Sequence, residues 1–366
     1  MPTRERPVDA CPGALQVHRA ADGEVARIRV PGGRLTADQL RTVQRAAPGG
    51  TVELTSRANL QIRGVTDESG LGVALAEAGL LPSATHERVR NIVASPLGGA
   101  DVVRELDAAL CARPGLARLP GRFLFIVDDG RGDVAWLDGD VAALFLAPDS
   151  AAVLLGGVDV GLRARRAEVV PVMLACAERF LALRTGEWRL AELDSGPRRI
   201  AEAFPTVAPT VVPRPPVTRG PLGRIDRPDG RVALGAAVPL GRLDAAQGAA
   251  LVEVAAELVI TPWRTVLVKD LPADRWEPVA ERLAATGLLL DPEAPGVGVT
   301  ACVGRPGCAK ALADVRADAA AAIARRSAST VPVHWSGCAR RCGRPRGDVL
   351  DIVATEEGYL TRRGFQ

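Results

Sequence analysis

Lysine is almost missing from this sequence. Only Lys269 and Lys310 occur among 46 basic residues, so arginine supplies the other 44. There is no lysine-rich tail and no basic stripe interleaved with aromatics, which make up 3% of the chain, so nucleic acid is not an expected partner. Arginine stays charged at any accessible pH, and its planar fork grips carboxylates or phosphates bidentately. The same bias therefore suits a multiply anionic ligand. A long apolar run is also absent. The best candidate, VAALFLAPDSAAVLLGGVDVGL, is broken by Pro148, Asp149 and Asp159 before the roughly 20 apolar residues of a span accumulate. It reads as buried core, and no membrane partner is expected. The opening MPTRERPVDACPG has no apolar leader, which points to the cytoplasm. In that setting seven cysteines, an odd number, argue for thiols or metal ligands over a disulfide framework. Histidine is scarce too: His18, His86 and His334 are the whole supply.

The bulk composition, 47% hydrophobic and 24% charged over 366 residues, is that of a folded globular protein large enough for two or more packed units. An internal repeat organises it. VPGGRLTADQL (Val30 to Leu40) returns as VPLGRLDAAQG (Val238 to Gly248). Each copy leads into a helical stretch, a strand ending in threonine (VELT to Thr55, LVIT to Thr261), a second strand (NLQIRGV, TVLVKDL), another helix and a Gly-Leu-Leu exit at Gly79 and Gly287. Strand and helix modules repeated this way predict an α+β pseudo-dimer whose halves share a cleft suited to a ligand. FPTVAPTVVPRPPVTRGPLG, Phe204 to Gly223, carries six prolines and reads as a stiff crossover.

Only the second half carries paired cysteines: Cys302 and Cys308, then Cys338 and Cys342. Both pairs lie in Gly/Pro-rich loops that bend around a bulky centre and aim amides at it. Zinc knuckles favour C-x2-C spacing, which neither pair has, so an iron–sulfur cluster fits better. Zinc and two disulfides are the alternatives.

The C-x5-C and C-x3-C pairs, with His334, Ser336 and Gly337 before the second, resemble the nitrite/sulfite reductase family. Three further stretches carry the likeness: TSRANLQIRG (Thr55 to Gly64), Arg90-Asn91, and Leu119-Pro120 followed by Arg122-Phe123. The likeness spans nearly the whole chain. It implies a pseudo-two-fold duplicated α+β fold with ferredoxin-like half-domains. The divisions would be 1–85 (first ferredoxin-like half), 86–203 (first catalytic half), 204–223 (crossover), 224–294 (second ferredoxin-like half) and 295–366 (cluster-binding half). It implies that Cys302, Cys308, Cys338 and Cys342 hold a [4Fe-4S] cluster. It also gives Arg57, Arg90, Asn91 and Arg122 a role toward tetrapyrrole carboxylates, with Arg63 joining Arg57 and Gln61 by strand period.

Two branches of the family separate at Leu124, where sulfite-reducing relatives carry a second lysine after the Leu-Pro motif. CPGALQV with DGEVARIRVPGG, and TPWRTVLV in the second half, resemble the monooxygenase branch that acts on precorrin-3A in aerobic cobalamin synthesis. That branch implies O2-dependent hydroxylation at a meso carbon with lactone formation, and a mononuclear non-haem iron besides the cluster. The three histidines assemble no evident triad for such an iron, and no catalytic residue is assigned. Gly296-Val297-Gly298 runs straight into Cys302 and makes a poor dinucleotide site, so an external ferredoxin or reductase is expected to supply electrons. A siroheme-dependent nitrite or sulfite reductase is the alternative enzyme, and a zinc-stabilised binding protein the non-catalytic one.

Overall fold

The computed structural model describes residues 9, 11–327 and 331–364. The first eight residues, part of the opening read above for a leader, lie outside them. The described residues form two compact units: one holds those up to Gln16, Arg29–Gly32 and Leu81–Val217, the other Val17–Ile28, Gly33–Leu80 and the described residues from Thr218 on. Among the described residues no helix is long and apolar enough to cross a membrane.

In the first of these units a five-stranded sheet runs in the order Val158–Arg165, Ser150–Leu155, Val141–Ala147, Phe125–Asp128, Ile92–Ala94. The apolar run read as core supplies the first three, a meander whose Val153, Leu154 and Leu155 are fully buried. Helices Ala100–Cys111 and Val169–Leu183 cover the sheet, and Cys176 sits among Met173, Ala177 and Phe180. Burial alone pushes its thiol pKa up to about 12, so it is an inert core residue. The proline-rich crossover forms no helix or strand between Ala201 and Gly223. Its early part is pinned by Asp159, whose carboxylate accepts from the Thr210 and Val211 amides at 2.9 and 2.8 Å.

The second unit holds the second repeat and, from Gly33 on, the first. The first builds a sheet from Gly23–Ile28, Leu60–Val65 and Val52–Leu54, and the second builds one from Val232–Ala237, Thr265–Leu271 and Glu257–Ile260. Each sheet is completed by a strand lent from the other repeat: Arg34–Thr36 pairs antiparallel with Glu257–Ile260, and Arg242–Leu243 pairs with Val52–Leu54. This reciprocal exchange makes the halves one body. It requires close approach at Gly33, where a Cβ would stand 1.9 Å from the Ile260 carbonyl oxygen and φ is 69°. Helices Ala37–Ala46 and Ala245–Val254 pack on each other, and each starts with a capping box, Thr36 with Gln39 and Asp244 with Gln247.

A fourth sheet follows the second repeat: Val299–Ala301, Val333–Ser336 and Val349–Thr355 are parallel neighbours, with Gly358–Gly364 antiparallel at the edge. Helix Val315–Ile323 packs against the first two strands. Both cysteine loops leave the ends of these two strands.

Candidate metal centre

Strand Val299–Ala301 delivers Cys302, whose amide donates to the Trp335 carbonyl at 2.9 Å, so the ladder extends into the loop. Strand Val333–Ser336 delivers Gly337 and Cys338. The two loops interlock through glycines: a Cβ on Gly337 would lie 2.7 Å from the Ala311 Cβ and 3.4 Å from the Gly304 Cα. The Leu312 amide donates to the Gly337 carbonyl at 2.8 Å, and the Gly337 amide points at Cys302 Sγ, 3.1 Å away. A backbone donor aimed at sulfur favours the thiolate a metal requires.

All seven cysteines are free thiols. Burial raises the pKa of Cys342; Arg340 opposes this, while the negative charges of Cys302, Cys338 and Cys308 raise it further. The Cys342 thiol thus lies within electrostatic reach of the other three. The described residues contain one group of three or more candidate ligands whose donor atoms all lie within 4.8 Å of one another, and it is Asp128, Asp129 and Asp133. No three cysteine sulfurs are that close. A single tetrahedral zinc holds its sulfurs about 3.8 Å apart, at Zn–S near 2.3 Å. The thiols as placed are thus not drawn in to the spacing of a single tetrahedral ion. The acidic group is loop scaffold: Asp128 accepts four backbone amides, from Gly130, Gly132, Val134 and Ala135, and Ser95 Oγ donates to Asp133 at 2.6 Å.

His334, fully buried, bridges the strand and the loop. Its Nε2 faces the Cys342 carbonyl at 3.1 Å and its Nδ1 the Thr300 hydroxyl at 2.8 Å. A carbonyl only accepts, so Nε2 carries the proton and Nδ1 accepts from Thr300. Burial, with Arg264 and Arg344 nearby, pushes its pKa down to about 3, and the ring is neutral. His86 is likewise bonded at both nitrogens, Nδ1 to Ser83 and Thr85, Nε2 to the Arg113 carbonyl. Neither ring has a nitrogen to spare, so neither His86 nor His334 fits a mononuclear iron, and a triad with two histidines cannot be drawn from the three.

The predicted arginines have separate settings. Arg63 clamps Asp22 bidentately at 2.7 and 2.6 Å and donates to the Gly307 carbonyl at 3.1 Å, next to Cys308. Burial works against its charge, but Asp22, Glu53 and Cys308 outweigh that and raise its pKa. Arg57 does not share its strand face. It lies in the turn before Leu60–Val65, where Ala58 takes φ 54° and breaks the period-two alternation. Arg90 is buried and bidentate to Asp107 at 2.7 and 2.6 Å, and the Asn91 amide donates to the Arg88 and Gly121 carbonyls. Arg122 is exposed, 4.9 Å over the Trp188 ring. Leu124 is buried. Sequence reasoning missed Asp22, Thr300 and the chain of contacts from Arg27 through Gln61 and Glu53 to Arg316. The cysteine loops are tied to the first repeat through these contacts, and no motif marks them.

Comparison with known proteins places this geometry. The model for the nitrite/sulfite reductase ferredoxin-like half domain matches twice, over residues 17–69 and 225–286. A precorrin-3B synthase from Sinorhizobium sp is 27% identical over 96% of this chain and 81% of its own length. A ferredoxin–nitrite reductase from Leptolyngbya laminosa is 24% identical over 90% and 76%. Among solved structures, the Mycobacterium tuberculosis NirA protein superposes with a TM-score of 0.76 at 21% identity, covering 94% of this chain and 73% of that one, and shares the fold.

Proposed function

Because the chain belongs to the nitrite/sulfite reductase ferredoxin-like domain family, we propose that it is an oxygenase of the precorrin-3B synthase type. It would take the metal-free tetrapyrrole precorrin-3A, hydroxylate a meso carbon with O2 and close a lactone from a ring acetate. The observation that carries this reading is the convergence of four free thiols in a chain that is similar, along nearly its whole length, to the Sinorhizobium enzyme.

Cys302, Cys308, Cys338 and Cys342 would hold a [4Fe-4S] cluster, which supplies single-electron transfer when bound. Each remaining residue has a job of its own. The Gly337 amide steadies Cys302, Arg63 and Asp22 fix the loop at Gly307, and His334 fixes the carbonyl of Cys342. Arg57 and Arg122 are the arginines suited to substrate carboxylates. Arg90 and Asn91 shape the turn that carries them in sequence, Arg90 through Asp107 and Asn91 through Gly121. Electrons would come from an external ferredoxin or reductase.

A siroheme-dependent reductase is favoured instead by the likeness to ferredoxin–nitrite reductases. The optical spectrum separates the two. Anaerobically purified protein should show the broad brown absorption of a cluster, iron and sulfide in equal amounts, and conversion of precorrin-3A under O2. Bound siroheme that is required for activity would overturn the oxygenase reading. For Arg57→Ala we expect weaker precorrin-3A binding with iron and sulfide unchanged; unaltered affinity would remove Arg57 from the substrate site.

A further inference from the structure

The second repeat holds a cation for which the first has no counterpart. Arg264 takes the left-handed turn position, φ 60°, that Ala58 takes at φ 54° in the first repeat. Its side chain runs past Gly241, where a Cβ would come 2.5 Å from Arg264 Cδ. Left-handed backbone costs an L-residue about 1–2 kcal/mol, and a buried guanidinium costs more unless it is compensated. Arg264 is 9% exposed. Yet among the described residues no carboxylate lies within ion-pair distance of it, and its side chain makes one hydrogen bond, from Nη2 to the Gly343 carbonyl at 3.1 Å. Glu53, the carboxylate whose charge it feels, is already engaged by Arg316 and Gln61. Burial lowers its pKa to about 10, which still leaves it charged at neutral pH.

The place this cation reaches is the backbone beside Cys342. His334 holds the Cys342 carbonyl, Arg264 holds the next one, and His334 in turn senses the positive charge of Arg264. We propose that Arg264 is the built-in counter-charge of the metal centre, balancing the thiolates' negative charge and stabilising the electron added when the centre is reduced. The inference rests on the cluster reading above and adds a residue that sets its potential. Net charge and hydrogen bonding around the sulfurs are what tune such potentials.

The test uses the full chain with its cluster, purified anaerobically, in four forms: wild type, Arg264→Ala, Arg264→Gln and Arg264→Lys. Alanine suits the backbone, as Ala58 shows, and glutamine keeps a donor for the Gly343 carbonyl without the charge. Iron and sulfide are measured first, then the midpoint potential by EPR-monitored titration. Arg264→Ala and Arg264→Gln should shift the reduction equilibrium at least tenfold toward the oxidised form, about 59 mV lower for a one-electron couple. Arg264→Lys should stay near wild type. Neutral variants with wild-type potential, or a lysine variant displaced as far as alanine, would overturn the proposal. Wild-type protein without iron and sulfide would instead remove the cluster reading on which it stands, a failure visible before any titration.

Discussion

The two repeats of the second unit share a backbone and have parted in chemistry. Left-handed residues recur in register: Gly33 with Gly241, Ala58 with Arg264, Gly64 with Asp270, Gly79 with Gly287. At two of these four pairs the second repeat places a charged side chain where the first has glycine or alanine. Since such a φ is unfavourable for an L-residue, the turn is imposed by the sheets it joins and not by its local sequence. What diverged is what the turns carry. The second repeat leads into the cysteine loops, while the first supplies Arg63, Asp22 and Glu53 as their supports.

The sharpest way to break this division of labour is at the thiols. Cys308→Ser should lose most of the bound iron and sulfide, whereas Cys111→Ser, on a helix of the other unit, should lose none. Equal metal content in the two variants would end the assignment of the second repeat as the metal-bearing one.

Glycine positions test the shared backbone next. Gly33 and Gly241 have the same φ of 69°, but an added Cβ meets the Ile260 carbonyl oxygen at 1.9 Å in one case and the flexible Arg264 side chain at 2.5 Å in the other. Gly33→Ala should therefore cost about 3 kcal/mol and Gly241→Ala about 1–2 kcal/mol, since only the second site can yield. Urea midpoints report both. Equal costs would mean that the exchanged strand is not held as closely as described.

These contrasts also show what the sequence could carry. The duplication was legible because VPxGRL and its following helix recur at fixed spacing. The exchange of Arg34–Thr36 and Arg242–Leu243 was not, because a strand's alternation marks its faces and says nothing about which distant strand it joins. Placing Arg57 and Arg63 on one face failed for a local reason: the period of two starts only at Leu60, after the turn at Ala58. Arg90 fits a family motif, yet its partner Asp107 arrives from a helix 17 residues on. Arg264 lies inside a recognisable stretch, but its isolation from carboxylates exists only once the fold is formed.

A smaller effect sharpens the supporting role of the first repeat. Burial would raise the pKa of Asp22, but the Arg63 hydrogen bond and charge lower it below its ordinary 3.8. The folded state thus favours the carboxylate, so the pair's stabilisation is complete above the ordinary pKa and fades as pH falls through the depressed one. Asp22→Asn should cost about 1 kcal/mol at pH 7, as partly exposed pairs do, and the gap from wild type should close below about pH 4. A gap that persisted into acid would assign the effect to packing and not to charge.

The smallest effect asks whether the repeats are equivalent where their chemistry is the same. Thr36 and Asp244 cap homologous helices in the same way, each accepting from the amide of a glutamine whose side chain returns to the cap's own amide. Losing such a cap costs about 1 kcal/mol. Asp244 also brings a negative charge to the helix N-terminus, worth about 0.3–1 kcal/mol more at low salt. Thr36→Ala and Asp244→Ala should therefore lower stability by similar amounts in high salt, with Asp244→Ala somewhat the costlier in low salt. A large difference that salt does not remove would show that the two helices, though matched in sequence and packed on each other, do not bear equal shares of the duplicated core.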